Sequence, residues 1–271
     1  MRMKIGFSTE ETTKKVPAAE LPAAESMAAD PCVVRVYFPA RGFACTYYND
    51  KFDLRRGDIV YVDGKLEGLR GFVTEISYNF KIKLSEYKHV IARADTAVRG
   101  KFYAAGSHFM TFDAAALPYE KAAAWFLPPA DPDEAYARGS GAGETLLLEK
   151  FPKKMEPQAV ERGGAYYAEN RVVYLELAGT RGRAVVEGRK PYEVEFTYQN
   201  GEIGGLLCTC YEVSACRHEA AALLQLRELL QIIEKQYAEQ FEQSGYFAAV
   251  RKATLLEYAV DNRETIGFTL E

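Results

Sequence analysis

The stretch YEVEFTYQNGEIGGLLCTCYEVSACRH, residues 192–218, holds two strand-like runs, a turn between them, and three of the chain's five cysteines with one of its three histidines. Asn200-Gly201, within QNGE at 199–202, is the residue pair that tight hairpins favour, so the flanking runs are expected to lie antiparallel. After Cys216 the pattern changes. Leu223, Leu226, Leu230, Ile233, Tyr237 and Phe241 recur at spacings of three and four, the apolar face of a long helix starting near residue 217. A hairpin running into a helix, ββα, is the fold unit this stretch dictates.

That unit gives the cysteines a setting. Cys208 and Cys210 are two apart at the end of a strand, so both thiols face the same side. Cys216 and His218 return to that side across the short loop YEVSA, at a helix N-terminus whose free amides and positive dipole end favour thiolates. Three sulfurs and one imidazole nitrogen form a closed tetrahedral set suited to zinc. A catalytic zinc needs an open fourth position, and this set fills all four. Two other readings of the same residues are buried thiols beside a helix-capping histidine, and a redox-active C-x-C pair.

The order C-x-C, five residues, C-x-H, with the flanks GRKPYEVEFTYQNGEIGGLLCTC and CRHEAAALLQL, resembles the SWIM-type zinc finger of bacterial type over about residues 185–230. The resemblance implies a structural Zn2+ held by Cys208, Cys210, Cys216 and His218, and a role in binding DNA or proteins. It implies no catalysis by the metal.

Working outward, residues 1–30 are rich in Ala, Glu and Pro with little to bury, and read as a flexible arm. Residues 31–112 alternate in short runs, among them VVRVYF, FACTYY, DIVYVDG and KFYAAG, punctuated by Gly, Asn and Asp. They read as a small antiparallel β-barrel-like domain. A Pro-, Asp- and Gly-rich linker follows at 113–144, with Trp125 and Phe126 pinning it to a neighbouring surface. The zinc-finger domain spans 145–230, and 231–271 reads as a C-terminal helical extension with a second helix over YFAAVRKATLLEYAV. The closing IGFTLE is strand-like and is expected to pair with the fold's own sheet or to lead into a further domain. The fold class is therefore α+β.

A hydrophobic content of 48% with 27% charged residues is globular composition. No apolar run is long enough to span a membrane and no secretory leader is evident, so a cytoplasmic protein without membrane contact is expected. The odd, clustered cysteines do not look like a disulfide framework. No phosphate-binding loop occurs: GKLEGLRG at 64–71 lacks the final Lys-Ser/Thr. His89 and His108 stand alone, without partners at catalytic spacing. No enzymatic activity is expected.

A net charge of −4 excludes coating of nucleic acid by bulk electrostatics. Residues 31–100 are the exception, with twelve Lys and Arg against eight Asp and Glu, interleaved with tyrosines as single-strand binders are. A second basic group, Arg181, Arg183, Arg189 and Lys190, brackets the strand leading to the cysteine hairpin and is the candidate nucleic-acid-binding set. The expected function is non-enzymatic recognition of nucleic acid or of a protein that handles it. The alternatives are a protein-interaction adaptor without nucleic-acid contact, and the non-catalytic portion of a multi-chain enzyme.

Overall fold

A computed structural model describes residues 30–80, 87–129, 145–210, 212, 215–260 and 267–271. Nearly all of the expected arm, and the part of the expected linker from residue 130 onward, lie outside the described residues.

The first sheet contains β1 (Cys32–Phe38), β2 (Phe43–Asn49), β3 (Ile59–Val62), β4 (Gly71–Ser77) and β5 (Val90–Arg93) in the order β2-β1-β4-β3-β5, all antiparallel. Val34, Val36, Phe38, Val60, Val62, Val73 and Val90 fill its concave side. β-branched residues suit such a pleated, half-buried surface. The sheet curls until its two edges touch, yet they share one bridge, Tyr48 with His89, where the Tyr48 N–H donates to Lys88 O at 2.9 Å. It is not a closed barrel, which corrects the barrel-like expectation: a barrel needs a ladder along that seam, and β2 and β5 make one rung.

The second sheet has nine strands. Its members are β6 (Arg99–Ala105), β7 (His108–Thr111), β8 (Leu146–Leu147), β9 (Val172–Ala178), β10 (Arg181–Glu187), β11 (Pro191–Gln199), β12 (Glu202–Cys208), β13 (Tyr246–Arg251) and β14 (Gly267–Leu270). Their order is β14-β6-β7-β13-β9-β10-β11-β12-β8, antiparallel except for β14 beside β6. KFYAAG thus belongs to this sheet and not to the first, because β6 and β7 find their partners in β13 and β14, more than a hundred residues away. The chain end pairs with the fold's own sheet, as expected for a strand-like terminus.

Helices α1 (Tyr119–Ala123), α2 (Pro157–Ala168), α3 (Arg217–Ile232), α4 (Ala238–Ser244) and α5 (Lys252–Val260) complete the chain, with a π-helical turn at Ile233–Tyr237 joining α3 to α4. The expected long helix is therefore α3, that turn and α4. The second expected helix is half strand. Tyr246–Val250 is buried on both faces between β7 and β9, so it carries no alternation to distinguish it from helix.

Two cores lie on opposite faces of the large sheet. On one, Leu223, Leu226 and Leu229 of α3 pack on Leu175, Val186, Val194 and Phe196. On the other, Ile59 and Tyr61 of the small sheet meet Trp125, Tyr174, Val185 and Tyr258. Trp125 is fully buried; its indole N–H donates to Asp95 O at 2.8 Å, and its ring meets Tyr258 edge-on. Among the described residues no helix is long and apolar enough to cross a membrane.

Candidate metal centre

The Asn200-Gly201 turn takes the left-handed backbone that a two-residue hairpin requires, with φ of 52° and 84°, and sets Gln199 opposite Glu202. The register runs up to Cys208 opposite Val194. One step further Thr209 clamps Glu193 twice: its N–H donates to Glu193 O, and its hydroxyl accepts the Glu193 N–H, both at 3.0 Å. Cys208 and Cys210 therefore flank an anchored residue.

The other two donors come from the start of α3. Cys216 is the N-cap: its sulfur accepts the Glu219 N–H at 3.4 Å, while the Glu219 carboxylate accepts the Cys216 N–H at 2.8 Å. This is a capping box with sulfur in place of a hydroxyl. His218 is buried, stacked on Tyr192 at 4.2 Å between ring centres and met edge-on by Tyr166. The approach is close enough that a side chain at Gly188 would reach within 2.8 Å of Tyr192 and 3.2 Å of His218 Nε2. The ring therefore has one orientation, with Nδ1 turned toward the sulfurs.

The three Sγ atoms and a ring nitrogen lie within 4.8 Å of one another, and Nδ1 is 3.7 Å from both Cys208 Sγ and Cys216 Sγ. A zinc tetrahedron, with bonds of about 2.3 Å to sulfur and 2.0 Å to nitrogen, has sulfur–nitrogen edges of about 3.6 Å. The donor set is compatible with a metal ion such as zinc. Arg217 Nε and His218 Nε2, neighbours at this centre, are two of three buried side-chain polar atoms among the described residues with no hydrogen-bond partner.

Burial and mutual proximity set the protonation of the three thiols. The Cys216 thiol is drawn down to about 4, first by the hydrogen bond from Cys208 and then by His218 and the Glu219 amide. The same hydrogen bond, with burial, pushes Cys208 up, and burial pushes Cys210 up. Glu219 rises to about 7 through burial and the negative charge of Cys216. Three thiols this close hold one charge by themselves; a divalent ion would stabilise all three as thiolates.

No family model, curated protein or solved structure matches this chain.

The structure separates the four candidate basic residues. Arg183 is committed internally: it pairs with the buried Glu176 at 2.6 Å and with Glu120 at 3.0 Å, and its guanidinium lies 3.9 Å above the Tyr119 ring. Arg181, at the far end of β10, pairs with Glu195 at 3.3 Å. Arg189 and Lys190 occupy the turn between β10 and β11, exposed and next to Gly188 at the metal centre, with Lys190 lying 5.8 Å over Tyr192. The supporting residues Tyr166, Tyr192 and Gly188 left no mark in the sequence. Glu219 did, three residues after Cys216, the spacing of a capping box.

Proposed function

We propose that the protein is a zinc-stabilised, non-catalytic recognition module of SWIM type, acting in the cytoplasm on nucleic acid or on a protein that handles it. The observation that carries the reading is the closed quartet of Cys208, Cys210, Cys216 and His218. A four-ligand thiolate-rich site leaves no position for substrate, which is the arrangement of structural zinc. Bound there, the ion would supply no reaction chemistry; it would fix the hairpin end to the start of α3, a stabilisation of about 10–16 kcal/mol in finger peptides. Tyr166 and Tyr192 hold the imidazole, and Glu219 with the Cys216 sulfur holds the helix start. The exposed pair Arg189 and Lys190 stands beside this rigid joint, where a phosphate backbone or an acidic protein surface could reach it.

A second reading, a protein-interaction adaptor, is favoured by the neutralisation of Arg181 and Arg183 by the chain's own carboxylates. Metal analysis and oligonucleotide titration separate the two. Zinc near one per chain, with affinity for single- or double-stranded oligonucleotides that falls as salt rises, supports the first. Zinc at one per chain with no oligonucleotide bound at low salt supports the adaptor. Zinc well below one retires the metal reading altogether.

A further inference from the structure

We infer that the open seam of the small sheet is a binding groove for single-stranded nucleic acid. The inference rests on the proposed recognition function and names both its substrate class and a surface remote in sequence from the cysteine cluster. On the Phe43 side of the single bridge, a groove of about 470 Å³ opens between β2, the Tyr87–Lys88 segment that leads into β5, and the Asp63–Leu66 turn. Phe43, nearly half exposed, together with Tyr47, Leu66 and Tyr87, gives it an aromatic and apolar lining. Lys65 and Lys88 stand exposed in the same wall.

Three observations point to a base and its phosphate. First, aromatic faces beside cations are what a strand of unpaired bases requires, since every base stacks while its phosphate seeks a positive charge. Second, these cations are uncommitted. Arg93, Lys101, Lys121, Arg181 and Arg183 all pair with carboxylates, whereas among the described residues neither Lys65 nor Lys88 forms an ion pair. The one acid among the described residues that line the groove, Asp63, is half-buried, and one carboxylate oxygen accepts the His89 N–H at 2.7 Å. Third, Lys88 is held in place. Its stem lies against Gly64, where an added Cβ would come within 3.1 Å of the lysine Cε, and Gly64 has a φ of +84° that side chains rarely adopt. A duplex has its bases stacked inside and offers nothing to Phe43, so the groove should distinguish single from double strands.

The test is a fluorescence-anisotropy titration of the zinc-loaded full chain with labelled oligothymidylate and oligouridylate of about 15 nucleotides and with a duplex of equal length. Single strands should bind more tightly than duplex. Phe43→Ala, a change at an exposed position, should weaken single-strand binding about tenfold. Lys65→Glu with Lys88→Glu should weaken it further and flatten the log–log salt slope by about 1.4, or roughly 0.7 per phosphate contact. Circular dichroism melts of these variants matching the parent keep the comparison fair. Binding that survives all groove substitutions but is lost in Arg189→Ala/Lys190→Ala overturns the groove and leaves the recognition function standing. Equal affinity for duplex and single strand, unchanged in Phe43→Ala, also overturns it. No binding to any of the three probes at low salt overturns the groove together with the nucleic-acid branch of the proposed function and leaves a protein partner.

Discussion

At His108, on β7, both ring nitrogens have partners inside the fold: Nδ1 lies 3.0 Å from the Ser107 hydroxyl, and Nε2 lies 2.7 Å from Val172 O. At His218 the ring is equally sealed from solvent, yet Nδ1 faces two sulfurs at 3.7 Å and Nε2, against Gly188, has no hydrogen-bond partner. The large sheet repeats the contrast. Glu176, buried in β9, receives Arg183 on one oxygen and the hydroxyls of Tyr174 and Tyr246 on the other. Buried polar groups are normally paired, as they are around His108 and Glu176. The cysteine cluster differs in kind: its three sulfurs and one ring nitrogen form a donor set compatible with a metal ion such as zinc.

The sharpest way to break this contrast is to remove the metal. Chelation should release backbone amide protection across residues 192–218 while the amides of β1 to β5 keep theirs, since the small sheet contributes no ligand; hydrogen exchange reads both. Cys210→Ser should leave zinc content well below one per chain. Full zinc in that variant would contradict the quartet. Next in size is the self-completed cluster: Arg183→Met leaves the Glu176 charge buried beside two hydroxyls, and should cost about 3–5 kcal/mol in urea unfolding with zinc content unchanged.

His108 gives a pH signature of opposite origin. Burial first, with Arg251 and Lys252 nearby, holds its imidazole down to about 4 from an ordinary 6.5. The folded state therefore binds fewer protons than the unfolded state. Stability from this group is complete above pH 6.5 and is lost as pH falls toward 4, by about 3 kcal/mol in all. The difference between the parent and His108→Leu, followed by urea unfolding from pH 7 to 4, isolates the effect; parallel curves would refute it. The smallest effect is expected at Tyr192→Leu. It removes the stack on His218, worth about 1 kcal/mol, so zinc affinity should drop about fivefold in a competition titration while the fold stays intact.

Local chemistry was legible in the sequence and long-range partnership was not. Asn200-Gly201, the cysteine spacing and the leucine periodicity of α3 each act within a few residues, and each appears where its physics puts it. The strand Tyr246–Arg251 reads as helix because Ala248 and Ala249 favour helix and full burial erases alternation. KFYAAG reads as part of the first sheet because nothing in its composition names β13 or β14 as partner. The four basic residues look like one group along the chain, but β10 rises about 20 Å from Arg181 to Glu187, which sets Arg181 far from the Arg189–Lys190 turn. Which of them is neutralised depends on carboxylates brought up by other elements, Glu176 and Glu120 for Arg183 and Glu195 for Arg181.

β13 lies between β7 and β9, so the two halves of the large sheet are joined through a strand that leaves the ribosome after both. From the emergence of Val172 until Arg251 follows, the inner edges of β7 and β9 have no neighbour. At about 5–20 residues per second that interval is roughly 4–16 s of synthesis. Through it the nascent chain carries two bare strand edges, both open to pairing with other chains. Closure then comes in one late step, with a strand that must pair on both sides at once. The newborn protein should accordingly depend on chaperones during translation far more than the finished one does, and a chain interrupted anywhere before residue 246 should be found in aggregates.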